Sequence, residues 1–234
     1  MTNQTSEKAV LTTDPDVLRL PSSSLALAAF DLIRNAESPA VANHSVRSVL
    51  FARLLARHLG LVSGRDFDEE LLYLACVLHD VGLSTLAKRN TRFEVDGADR
   101  AAEFLTSQGV EATKVDLVWE AIALHNTAVI PERMGALTSL TSQGVAIDFG
   151  GILGLPETHQ AAVTAQMGAA IHAEYPRFDM ASAVIDAVAD HAASNPASNA
   201  PRYTPPGEIL RERTEFGVTT PERMIADGGS RWGN

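Results

Sequence analysis

Cysteine, long apolar runs and positive charge are all scarce in this sequence of 234 residues. Cys76 is the only cysteine, so the chain cannot form an internal disulfide, and a reducing, intracellular location is the simpler expectation. No stretch approaches the roughly 20 apolar residues of a membrane-spanning helix, and the polar N-terminus lacks the regions of a signal peptide. We therefore expect a cytoplasmic protein that does not bind membranes.

The charge balance narrows the classes of partner. Lysine and arginine number 19 against 29 aspartate and glutamate, which gives a formal net charge of -10. Such a surface repels phosphate backbones, so we expect no nucleic-acid partner. The hydrophobic content of 45% is typical of a globular protein and excludes disorder for the chain as a whole. A small neutral or cationic molecule fits this charge best as a substrate.

The alternating pattern of a strand is also absent, except in the short segment TRFEVDG at 91–97, which is too short to found a sheet. Apolar residues recur instead at helical spacing, and serine, proline and glycine mark the helix ends. The sequence therefore predicts an all-α bundle with short loops. The predicted helices lie at about 25–36, 39–59, 66–82, 96–108, 111–126, 133–149, 156–174 and 179–194.

Composition also suggests the domain organisation. Residues 1–21 are polar and are predicted to form an N-terminal arm, and residues 22–194 form one helical domain. Residues 195–234 are rich in proline, glycine and serine, which predicts an extended C-terminal tail that wraps its own domain or a neighbouring subunit. We accordingly expect a homo-oligomer.

Two ionisable residues, His79 and Asp80, stand at the end of a strongly apolar predicted helix. Burying them is costly unless something pairs with them, and a divalent metal is a natural partner for imidazole nitrogen and carboxylate oxygen. His44 lies on an inward helix face, His125 extends an apolar stripe, and Asp148 stands among apolar and small residues. One metal would satisfy these groups together, although each could instead be a hydrogen-bonded core residue.

Other residues of chemical interest receive simpler interpretations. Cys76 is predicted to be a small core residue, and Met134 and Trp119 are predicted to serve packing. Four histidines have the neighbours of ordinary amphipathic helix surfaces and are predicted to lie outside any site: His58, His159, His172 and His191.

The order His44, His79-Asp80, Asp148 resembles the H…HD…D signature of the HD-domain superfamily of metal-dependent hydrolases. The closer resemblance is to the cyanamide hydratase-like branch of that superfamily. The stretches that carry it are NHSVRS at 43–48, LLYLACVLHDVGLST at 71–85, RFEVDGADRAAEFL at 92–105, AIALHNTA at 121–128 and VAIDFGG at 145–151. Many phosphohydrolases of the superfamily carry a lysine soon after the HD-x-G turn, whereas residues 83–85 here resemble the small hydroxyl residues of the hydratase branch.

The resemblance implies an HD-domain helical bundle around one buried divalent ion, zinc or iron(II), with open positions for water and substrate. The implied ligands are His44, His79, Asp80 and Asp148. This chain departs from the pattern of the branch in two places. Arg92 replaces the usual serine before Phe93, and Asp96 stands where the branch usually has an aromatic residue.

Four further residues are candidates for roles in catalysis or substrate binding. We expect His125 to act as general acid or base, or as a donor that orients the substrate. Glu94 is expected to relay a proton or to support a ligating histidine, unless it simply pairs with Arg92 or Arg89. Thr85 is expected to hydrogen-bond the substrate, unless it caps the next helix, and Phe93 is expected to line the substrate site.

The resemblance therefore predicts a metal-dependent hydratase or hydrolase that adds activated water to a small nitrile-like substrate such as cyanamide, giving urea. One alternative is an HD-type phosphohydrolase, and another is a non-catalytic module in which the metal only stabilises the fold. The phosphohydrolase alternative needs a clamp for phosphate, for which the candidates are Arg47, Arg89, Arg92 and Arg100.

Overall fold

The computed structural model describes residues 18–234, so residues 1–17 of the predicted N-terminal arm lie outside the described part. Within 18–234 the chain forms helices and no strand, apart from an isolated bridge between Ser63 and Phe67, and the predicted all-α class is confirmed. None of the helices in this range combines the length and hydropathy needed to cross a bilayer. The helices are α1 Ser24–Ala36, α2 Pro39–His58, α3 Glu69–Leu78, α4 Phe93–Ser107, α5 Ala112–Leu124, α6 Ala136–Asp148, α7 Glu157–Gln160, α8 Ala165–Glu174, α9 Met180–Ser194, α10 Pro196–Asn199, α11 Pro205–Phe216 and α12 Thr220–Ala226.

Helix α2 runs through the centre of the bundle. Ser38 caps its N-terminus by accepting a hydrogen bond from Val41, and Pro39 occupies the first turn, where its missing N–H costs nothing. Helix α6 packs against α2 at Gly144, where a Cβ would lie 2.4 Å from the carbonyl oxygen of Ser48. Only glycine permits this approach, and it brings the next turns of both helices together.

Helix α3 supplies the most apolar part of the core. Asp68 caps it by accepting hydrogen bonds from the N–H groups of Glu70 and Leu71, and the residues from Leu71 to Leu78 are all buried. A 3₁₀ turn at Val81–Leu83 follows the helix and packs on α4. A Cβ on Gly82 would lie 2.0 Å from the carbonyl oxygen of Phe93, so this glycine sets how closely the end of α3 approaches α4.

Three predicted elements differ in the structure. The strand-like segment 91–97 instead contains the start of α4, because residues 18–234 provide no neighbouring strand to pair with it and acidic residues in the first turn favour a helix N-terminus. The single helix predicted at 156–174 is divided into α7 and α8, since the Thr164 side chain accepts from Met167 and starts a new helix. The helix predicted from residue 133 begins instead at Ala136, after a 3₁₀ turn.

The C-terminal segment 195–234 is helical over much of its length, although its composition predicted an extended chain. Thr204 caps α11, and Thr219 forms a reciprocal capping box with Glu222 at the start of α12. The segment returns to its own domain, where the Trp232 indole donates to the carbonyl oxygen of Ile147 at 2.7 Å. The segment therefore contacts its own domain, while the boundary at residue 195 and a contact with a neighbouring subunit stay predictions.

Candidate metal centre

His44 lies on α2, one turn before Ser48, and its side chain is completely buried. Its Nδ1 lies 2.7 Å from Oδ2 of Asp148, and since an ionised carboxylate only accepts, Nδ1 is the donor. Burial lowers the pKa of His44 although Asp148 opposes that shift, so the ring is neutral. Its Nε2 therefore keeps a free lone pair.

His79 and Asp80 follow the last residue of α3 and are also buried. Nδ1 of His79 donates to the carbonyl oxygen of Cys76 at 2.7 Å, which directs Nε2 away from the helix. Burial lowers the pKa of His79, but the charge of Asp80 outweighs it and the net shift is upward. Burial likewise raises the pKa of Asp80, but the positive charge of His79 holds it well below the usual range. Asp80 is therefore ionised.

Three buried atoms on these residues have no hydrogen-bond partner within the described chain: Nε2 of His44, Nε2 of His79 and Oδ2 of Asp80. Oδ2 of Asp80 lies 3.2 Å from Nε2 of His79 and 3.8 Å from Nε2 of His44, without the geometry of a hydrogen bond. Unpartnered polar atoms in a protein interior are rare, and three at one point indicate a shared partner. Two imidazole nitrogens and a carboxylate oxygen fit a divalent cation, and the three residues could hold one.

Asp148, the fourth ligand implied by the motif, is placed behind His44. Arg47 donates to both of its carboxylate oxygens, with Nη2 at 2.8 Å from Oδ2, and Nη1 of Arg177 donates to Oδ1 at 2.9 Å. Burial raises the pKa of Asp148, but Arg47 together with His172 and His44 holds it well below the usual range. Among residues 18–234, His44, His79 and Asp80 bring their ligand atoms close enough together to hold one metal ion. Asp148 contacts this group through its hydrogen bond with Nδ1 of His44.

His125 faces this group from the end of α5. Its Nδ1 donates to the carbonyl oxygen of Ile122 at 2.7 Å, and its Nε2 lies 4.0 Å from Oδ1 of Asp80. Burial, together with the positive charge of His79, lowers the pKa of His125 to about 3. The ring is therefore neutral and presents an acceptor, rather than a donor, to the site.

The other predicted site residues take different positions. Phe93 is buried beside His125, with ring centroids 5.7 Å apart, and lines the cavity described below. The Glu94 carboxylate pairs with Arg92 at 2.7 Å. This is the ion pair that the sequence offered as the alternative to a role in catalysis, although the carboxylate is buried and not at the surface. Thr85 is exposed and does not line the cavity.

A cavity of about 210 Å³ opens above the three candidate ligands. It adjoins a wider groove of about 800 Å³, and His125, Asn126 and Leu153 line both. The polar lining is His44, His79, Asp80, His125, Asn126, Glu208, Glu212 and Thr220, and the apolar lining is Phe93, Val145, Phe149, Leu153, Val184, Ile185, Val188, Pro205, Ile209 and Pro221.

Several interpretations made from the sequence are corrected here. His191 is buried and its Nε2 lies 3.2 Å from Oδ2 of Asp96, and His172 lies 3.5 Å from Asp148, so neither is an ordinary surface residue. The helical spacing of Val184, Val188 and His191 was a signal that this histidine faces inward. Met134 is 40% exposed and lies outside the hydrophobic clusters of residues 18–234, whereas Trp119 packs against the core as predicted.

Glu37 was not singled out by its sequence context. Both of its carboxylate oxygens are buried and lack a hydrogen-bond partner among residues 18–234. Burial, with the charge of Asp80 adding to it, raises the pKa of Glu37 well above the usual value. Glu37 lies in the turn between α1 and α2, and the burial of its carboxylate depends on tertiary packing that no local pattern of the sequence indicates.

Residues 41–142 match the HD domain family. The matched segment includes His44, His79 and Asp80 and ends before Asp148, and the match supports the HD-domain superfamily. The HD domain is typically a family of metal-dependent hydrolases, which agrees with a buried His-His-Asp group that could hold a metal. No curated protein matches the chain.

Proposed function

We propose that this protein is a metal-dependent hydratase that adds water to a small, neutral, nitrile-like substrate such as cyanamide. The observation that carries the proposal is the charge of the cavity. Among residues 18–234 no lysine or arginine lines it, whereas Asp80, Glu208 and Glu212 do. Apart from the metal ion, a phosphate ester would meet only carboxylates among the charged groups there, and a neutral nitrile avoids that repulsion.

The reaction class consumes only water. The oxygen of water forms a bond to the nitrile carbon, one π bond of C≡N breaks, and a proton is delivered to nitrogen. The resulting imidic acid, an isourea when the substrate is cyanamide, tautomerises to the amide, which is urea in that case. Every atom of the water molecule remains in the product, so neither an oxidant nor a second substrate is needed.

His44, His79 and Asp80 would hold the divalent ion. When bound, such an ion supplies Lewis acidity, which lowers the pKa of water from about 15.7 to about 7. The donor set of two histidines and one carboxylate suits zinc and also iron(II). We propose zinc, which elemental analysis of the purified protein tests directly.

The remaining residues act by positioning and by accepting hydrogen bonds. Nε2 of His125 faces the site as an acceptor, so it orients the attacking water and takes up its proton. Asp148 fixes the ring of His44 through Nδ1, which keeps Nε2 directed at the metal position. The geometry thus supports an orienting role for Asp148 rather than that of fourth ligand.

The phosphohydrolase alternative has less support. Of the four arginines considered as a clamp, Arg92 alone lines either the cavity or the adjoining groove. Arg47 is fully buried against Asp148, and Arg100 pairs with Glu103. A clamp built from these side chains would require their present partners to be released.

The test incubates zinc-loaded protein with cyanamide and, separately, with p-nitrophenyl phosphate. We expect urea from the first and no nitrophenol from the second. The Asp80→Asn variant should lose both zinc and urea release, while Asp116→Asn, the same change at an exposed position of α5, should retain both. Nitrophenol release without urea would refute the proposal in favour of phosphohydrolysis, and the absence of both products would favour the non-catalytic alternative.

A further inference from the structure

The cavity has two chemically different ends. The candidate ligands and His125 form its polar end, and hydrocarbon side chains form most of the remaining wall. Much of that wall comes from three helices: Val145 on α6 with Phe149 directly after that helix, Val184, Ile185 and Val188 on α9, and Ile209 on α11. A substrate whose reacting group contacts the polar end must therefore place its other end against hydrocarbon.

The size of the cavity exceeds what cyanamide needs. Its volume of about 210 Å³ corresponds to about seven groups the size of a water molecule. Cyanamide, a single amino group on a nitrile carbon, would fill less than half of it. An aliphatic chain of about three to five carbons would fill the rest and would displace water from apolar surface.

The two acidic side chains of α11 that line the cavity, Glu208 and Glu212, already accept hydrogen bonds from within the chain. The Glu212 carboxylate accepts from the backbone N–H of Thr220 at 2.5 Å and from its hydroxyl at 2.7 Å. The Glu208 carboxylate accepts from Nε of Arg211 at 2.9 Å. An amino group turned toward the wall would lose its hydrogen bonds to water without gaining new ones, which disfavours binding.

We infer that the substrate class of this site is an aliphatic nitrile whose hydrocarbon group of about three to five carbons lies against the wall formed by α6, α9 and α11. Cyanamide is then a weak substitute for it. The nitrile part of this inference rests on the proposed hydratase function, whereas the hydrocarbon part rests on the lining of the cavity. All six residues named for this wall lie outside the segment 41–142, so the wall is not part of the family match.

The test measures binding as well as turnover. Calorimetry with the zinc-loaded protein compares urea with acetamide, propionamide, butyramide, valeramide and octanamide, the amides that nitrile hydration would produce. We expect affinity to rise about fourfold for each added methylene until the cavity is filled, and then to fall for octanamide. The corresponding nitriles should show the same order in kcat/KM, with cyanamide the lowest.

A matched pair of variants locates the effect in the wall. Val184→Thr replaces a cavity methyl with a hydroxyl, and Val115→Thr makes the same change on α5, at a valine of the same 7% exposure that does not line the cavity. Val184→Thr should weaken butyramide binding about fourfold or more, the value of one methyl group, and should leave urea unchanged. Val115→Thr should change neither.

The outcomes separate this inference from the proposed function. Equal affinities along the amide series, or tighter binding of urea than of butyramide, would overturn the hydrocarbon class even if cyanamide were converted to urea. A chain-length dependence without hydration of any nitrile would support the hydrocarbon class and would refute the hydratase proposal instead. If Val184→Thr fails to fold, the series on the unmodified protein still decides.

Discussion

The most informative single substitution is Asp148→Asn, because it distinguishes an orienting carboxylate from a metal ligand. Asp148 is completely buried and receives hydrogen bonds from Arg47, Arg177 and His44. Asparagine keeps the shape of the side chain and removes its charge. The change leaves two guanidinium groups, one of them fully buried, without their counter-charge.

The expected loss is large. Breaking a buried ion pair by removing one partner costs about 3–5 kcal/mol. For a chain of this size each kcal/mol lowers the melting temperature by about 2–4 °C, so we expect a decrease of about 6–20 °C in metal-free protein. Weaker support of His44 should also lower zinc affinity by about 10–100-fold without abolishing binding.

Thermal unfolding of metal-free protein and a competition titration with a zinc chelator measure the two effects. Asp80→Asn is the contrasting variant, because the Oδ2 atom of Asp80 has no hydrogen-bond partner in the described part of the fold. It should cost less stability than Asp148→Asn and should lose zinc. If Asp148→Asn instead loses zinc while its melting temperature in the metal-free state stays unchanged, Asp148 is a direct ligand and the reasoning is refuted.

Three other predictions test separate parts of the structure. His125→Ala should retain zinc and lose about 100-fold or more of the turnover, and unchanged rates would remove its role as proton acceptor. Burial raises the pKa of Glu37, so the folded state holds a proton that the unfolded state releases, and stability falls as the pH rises above the ordinary glutamate value. Glu37→Gln should therefore melt at a higher temperature than the unmodified protein at pH 7 and at nearly the same temperature at pH 4, and equal melting temperatures at both pH values would contradict this. Burial also raises the pKa of Cys76 to about 12, so its thiol should not react with Ellman's reagent at pH 8 until the protein is unfolded, and rapid labelling of the native protein would show that it is accessible.

Local sequence signals were sufficient where the structure depends on neighbours along the chain. Pro39 predicted the start of α2, and the acidic residues at 66–68 predicted that α3 starts close by, since these residues favour a helix N-terminus within their own turn. The apolar run of α3 placed His79 and Asp80 inside the protein for the same reason. The helix division near Thr164 was missed, although its cap is a local signal.

The sequence by itself determined the helical class, the burial of the His-Asp pair and the inward direction of His44, because helical periodicity and hydrophobicity are local properties. The tertiary structure alone decided which partner each buried charge finds. Asp148 lies 101 residues from Arg47 and 29 residues from Arg177 in the chain, and no periodicity relates such distant positions. The apolar wall likewise combines α6, α9 and α11, whose contact depends on the packing of the whole bundle and not on the sequence of any one helix.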